Sequence, residues 1–229
     1  MNRLLSGSVS LSATAWLTLL LAIFGNCSLG AAQTLTIDAT SRGCVTPFGN
    51  CDNSGSSTLG AYFVGNWLGF EHRNFFYFDL SSVSQPIASA KLVLTAGLYN
   101  STDPSENYEL HDVTTPFATI LAGGNLSSAF ADLGSSAVYA NRVVTAADTT
   151  NVEIELNSSA IAAMNATHGS FGIGGSLTTI AAPKSPDSLF VPTSSQLVSQ
   201  LQLTLVPEPS TLLLLATGVI GFLGRSKAR

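Results

Sequence analysis

Apolar and polar residues alternate with a period of two along the interior of the chain, a pattern that predicts β-strands. Residues 74–79 put Phe75 and Tyr77 on one side and Phe76 and Phe78 on the other. Residues 90–96 form a further strand after the turn at Ser84-Gln85-Pro86, and 108–113 and 151–156 alternate polar and apolar, the last setting Val152, Ile154 and Leu156 against Glu153 and Glu155. The run at 197–205 carries Leu201, Leu203 and Leu205 on one face and reads as the closing strand, while 35–37 reads as the opening one. Glycine, serine, asparagine and proline separate these runs at short intervals. Only residues 158–167 have helical spacing, with a serine cap, Ile161 and Met164 three apart, and Gly169 as the stop. Many short strands with one short helix imply an all-β fold, an antiparallel β-sandwich of jelly-roll type.

Both ends depart from this pattern. Residues 1–32 hold one charge, Arg3, an apolar stretch at 13–24 and the small residues Gly30, Ala31 and Ala32. That is the form of a signal peptide removed by signal peptidase after Ala32. Cys27 follows Phe24, Gly25 and Asn26, a poor lipobox, and leaves with the signal. At the other end Val206, Pro207, Glu208 and Pro209 precede an apolar run of 14 residues, 211–224, and then Arg225, Lys227 and Arg229. The run is shorter than the usual span of about 20 residues. It lacks the polar face of a core helix and reads as a short transmembrane helix whose cations hold that end in the cytoplasm. The division is a signal at 1–32, a sandwich domain at 33–205 and a sorting segment at 206–229.

The segment from Val206 to Arg229 closely resembles the PEP-CTERM sorting signal of Gram-negative bacteria in motif, spacing and terminal position. The resemblance implies that exosortase, a membrane-embedded cysteine protease, recognises Pro207, Glu208 and Pro209 and removes the tail. It also implies an inner-membrane intermediate, then delivery to the cell surface or an exopolysaccharide matrix. A second resemblance is internal. The strand ending Phe78-Asp79-Leu80-Ser81, the strand introduced by Ile87-Ala88-Ser89-Ala90, and the strand ending Asp112-Val113 resemble DNRLRE-type bacterial surface domains. That likeness implies a jelly roll related to some non-catalytic carbohydrate-binding modules; the motif that names the domain is absent.

Composition narrows the function. The chain is 45% hydrophobic and 10% charged with a net charge of -5, and a nucleic-acid binder needs a basic face instead. Without its ends the domain has 5 basic against 13 acidic side chains, a net charge of -8. Cys44 and Cys51 sit in a loop rich in glycine and asparagine, and export favours a disulfide between them. His72, His111 and His168 belong to no catalytic motif. Neighbouring residues on a strand face apart, so Glu71 does not orient His72; His111 and Glu109 share a face that reads as a solvated polar stripe. Glu153 and Glu155 read as exposed surface acids, Asp79 as a turn cap, and Gly172 to Gly175 as a strand with close backbone approach. No residues are assigned to a metal and no cofactor is implied; calcium is left open. Trp67, with Tyr62 and Phe70, is the candidate glycan platform, because sugar rings stack on aromatic faces. The leading expectation is a non-enzymatic surface or matrix protein associated with exopolysaccharide in a biofilm. The alternative is a carbohydrate-binding module centred on Trp67, and third comes a polysaccharide-modifying enzyme.

Overall fold

A computed structural model describes residues 32–51, 60–180, 186–193 and 197–207. The expected signal peptide and the sorting segment from Glu208 to Arg229, with its transmembrane helix, lie outside the described residues. Among the described residues no helix is long and apolar enough to cross a membrane. They form one compact unit, Gln33–Val206.

In chain order the strands are β1 (Gln33–Asp38), β2 (Ser41–Thr46), β3 (Gly49–Asn50), β4 (Val64–Trp67), β5 (Phe70–Asp79), β6 (Ile87–Thr95) and β7 (Leu98–Asn100). After them come β8 (Glu106–Asp112), β9 (Val138–Val144), β10 (Asn151–Glu155), β11 (Ser170–Leu177), β12 (Asp187–Val191) and β13 (Ser199–Leu205). Three short helices, α1 (Phe117–Ala122), α2 (Ser127–Asp132) and α3 (Ser158–Ala166), complete the unit. The first sheet has the order β1-β13-β6-β10, and the second the order β7-β12-β4-β5-β11-β8-β9, with β2 and β3 branching from β5. Each strand pairing is antiparallel. The fold is the antiparallel sandwich that the alternation implies.

The main core fills the space between the sheets. Leu92, Leu94, Leu201 and Leu203 of the first sheet meet Phe76, Phe78, Tyr108 and Ile173 of the second. The other face of the first sheet is polar, and there Lys91 Nζ meets Glu153 Oε2 at 2.5 Å. Strand β5, like its neighbour β11, is buried on both faces. Phe75 and Tyr77 point away from the sandwich into a second cluster with Val45, Ile120, Leu126 and Leu133. Helices α1 and α2 supply that cover, which explains why β5 is aromatic on both sides rather than alternating with polar residues.

The glycines of β11 let neighbours pack onto its backbone. A Cβ on Gly175 would lie 2.2 Å from both Asn74 Oδ1 and the Tyr108 hydroxyl, and one on Gly174 would lie 2.7 Å from Leu133 Cα. Helix α3 is where the spacing places it, but its cap is Asn157 rather than a serine: Asn157 Oδ1 accepts from Ser159 N at 3.0 Å and Ala160 N at 3.1 Å. Asp79 caps its turn, accepting from Ser81 N at 2.9 Å.

Candidate functional site

The three residues proposed as a glycan platform separate. Tyr62 is fully buried in the main core. Its hydroxyl donates to Val198 O at 2.7 Å and lies 3.2 Å from Thr95 O, and burial raises its pKa. Tyr62 is therefore packing, not platform. Trp67 is half-buried, with its ring 6.3 Å from that of Phe63. Phe70 does stand at the surface, 52% exposed.

The surface around Phe70 is a hairpin tip. Trp67 pairs with Phe70 across the turn Leu68-Gly69, whose φ values are 52° and 84°. Two positive φ values in succession suit a tight hairpin but are strained for a leucine. Leu68 is nonetheless 83% exposed, and Phe48, from the β2–β3 turn, is 75% exposed. Phe48 meets Phe70 edge to face, with ring centres 6.1 Å apart and planes at 81°. The Cys44–Cys51 disulfide closes the loop that carries Phe48. Phe48 and Leu68 were missed from sequence because a lone apolar residue in a turn leaves no periodic trace.

The histidines are built into the scaffold. His111 is 3% exposed, which corrects the expectation of a solvated stripe. Its Nδ1 lies 3.1 Å from Ser136 O, and its Nε2 lies 3.2 Å from Ser176 Oγ and 3.6 Å from Glu109 Oε2. A nucleophilic relay needs the hydroxyl and the carboxylate on opposite ring nitrogens. Here both crowd one nitrogen, and a backbone carbonyl takes the other. His72 Nδ1 contacts Phe70 O at 2.8 Å, and burial lowers its pKa. Glu71 pairs with Arg73 at 3.0 Å instead. His168 is exposed and helps line a groove of about 390 Å³ beside Leu80, Val83, Ile87, Met164 and Asn165. Asn165 is already committed, clasping both the N–H and the C=O of Ile87.

Carboxylates gather where the sequence indicated no metal ligands. Asp103, Glu106 and Asp187 bring oxygen atoms within 4.8 Å of one another, and Glu106 and Asp187 are fully buried. The Ser101 hydroxyl donates to Glu106 Oε1 at 2.5 Å and reaches Asp187 Oδ1 at 3.3 Å, and Thr179 also donates to Glu106. These are the residues that could hold a hard cation, which takes oxygen ligands. Strand pairing assembles them: β12 brings Asp187 beside β4 and β7, from more than 80 positions along the chain.

The last described feature is the C-terminal exit. Gln33 pairs with Leu205, so β1 starts opposite the end of β13. Val206 N donates to Pro86 O at 2.8 Å, and Pro207 follows at once. No spacer separates the sandwich from the residues that resemble the sorting motif. The PEP-CTERM protein-sorting motif matches residues 205–229. The match lies outside residues 74–113, so it does not bear on their likeness to DNRLRE-type domains. No curated protein matches the chain. A sandwich that runs directly into this motif identifies an exported protein, carrying a PEP-CTERM signal and sorted by exosortase to the cell surface.

Proposed function

We propose that the chain is a non-enzymatic protein of the cell surface or extracellular matrix, held with exopolysaccharide in a biofilm after exosortase removes its tail. The observation that carries this reading is the sorting motif matched at residues 205–229, which follows the last strand of the sandwich directly in sequence. The scaffold roles of His72 and His111, and the pairing of Glu153 with Lys91, support it by engaging three of the groups that a hydrolytic site could use. In this reading the precursor passes through the inner membrane of a Gram-negative cell, anchored by 211–224. The test is fractionation of the host. The processed chain is expected in the matrix fraction and is released when the polysaccharide is digested. Processed protein recovered wholly in the culture medium would overturn the matrix assignment.

A second reading is favoured by one observation, the exposure of Phe48, Leu68 and Phe70 at a single tip. There the domain is a carbohydrate-binding module whose platform is Phe70, Trp67 and Phe48. Its test is retention on immobilised host exopolysaccharide, which Phe70→Ala together with Phe48→Ala abolishes. Unchanged retention in the double variant excludes the tip.

A further inference from the structure

We propose that β1 is a self-association edge, at which a second copy of this chain adds its own β1 antiparallel and doubles the first sheet to eight strands. The proposal is independent of what the surface protein binds.

An edge strand presents unpaired N–H and C=O groups, and proteins ordinarily block it with charges, bulges, prolines or very short strands. Among the described residues the other ends of the two sheet paths are blocked in that way, and the branch from β5 ends in β3, only two residues long. Strand β10 carries the exposed Glu153 and Glu155. Strand β7 has only three residues. Strand β9 is bulged against β8 and carries Arg142, paired with Asp148 at 3.1 Å.

Strand β1 has none of these devices. It is six residues long, pairs with β13 without a register shift and contains no proline. Its single charge, Asp38, lies at the end and is held by Gln200 Nε2 at 2.7 Å. No second strand pairs with β1 among the described residues. On the same face as Asp38, the rest of the β1–β13 strip is uncharged, Thr34 lying opposite Thr204 and Thr36 opposite Gln202. In a domain with 5 basic and 13 acidic side chains, two copies repel wherever acids face each other. The β1–β13 strip is a charge-poor approach. An antiparallel β1–β1 contact also uses the same patch on both copies, so it closes as a two-fold dimer.

The experiment is sedimentation velocity on the processed protein recovered from the host, over a wide concentration range. In a register symmetric about Leu35, Thr34 of one copy faces Thr36 of the other. Thr34→Lys with Thr36→Lys therefore sets like charges opposite each other and weakens association about tenfold or more. Wild type is expected to show a monomer–dimer equilibrium, the double variant a monomer of unchanged melting temperature, and Asn151→Lys on β10 the wild-type equilibrium. Hydrogen exchange on wild type is the check that needs no variant: β1 amides gain protection as concentration rises. A monomer at every concentration, or β1 amides whose exchange ignores concentration, overturns the proposal.

Discussion

Gly175 carries more of this fold than its size suggests. Asn74 is fully buried, donating to Tyr62 O at 2.8 Å and accepting from the Tyr108 hydroxyl at 2.8 Å. That network occupies the space above Gly175, so Gly175→Ala forces either backbone movement or the loss of buried hydrogen bonds. The expected cost is about 3 kcal/mol by chemical denaturation. Gly169→Ala, with nothing within 4 Å, is the matched control. Leu68 shows the opposite balance. It occupies a left-handed position at the tip, so Leu68→Asn is expected to stabilise the domain by about 1 kcal/mol. If the tip is the binding platform, the same change lowers polysaccharide retention while it raises the melting temperature. His72 gives a pH dependence. Burial lowers its pKa from 6.5, so the unfolded chain takes up the proton first as pH falls. The stability it contributes is complete above about pH 6.5 and is lost as pH falls through the folded-state value. His72→Phe is expected to flatten the fall in melting temperature between neutral pH and pH 5. Identical slopes would show that another group sets it.

Among the elements, legibility followed how each strand is covered. Strands β10 and β13 keep a polar face, so alternation located them to within a residue or two. Strand β5 was visible as an aromatic run, but its cover was not. Helices α1 and α2 have six residues each, too few for an apolar repeat to build up. Strands β3 and β7 are shorter still, and β12 is buried over most of its length with no alternation to read. The tip and the carboxylate cluster were hidden for a related reason. Their members are distant in sequence, and only pairing of β12 with β4 and β7, or the meeting of two turns, brings them together. Composition marks Tyr62 and Phe48 alike as loop aromatics; burial alone separates them. At this scale Asn157→Ala is expected to cost about 1 to 2 kcal/mol, because the residue caps α3 and also donates to Val138 O at 2.7 Å. Denaturant titration measures it, and a cost near zero would show that packing against β6 and β9 holds α3 without its cap.

At the scale of the whole molecule, chain order and geometry agree. The first and last strands pair side by side, and the sorting motif begins where the last one ends. Since β13 lies between β1 and β6, the first sheet closes only after almost all of the domain has been made and exported. The last strand ends at Leu205, buried at 5% exposure, and the matched segment begins at that same residue. Cleavage at the motif therefore leaves the core intact, and the account needs no refolding after processing. The most direct test is mass spectrometry of the chain recovered from the cell surface, from hosts with and without exosortase. The account requires a mature form that begins near Gln33 and lacks 211–224, with the tail retained when exosortase is removed. A surface form that keeps its apolar tail in the normal host would contradict it.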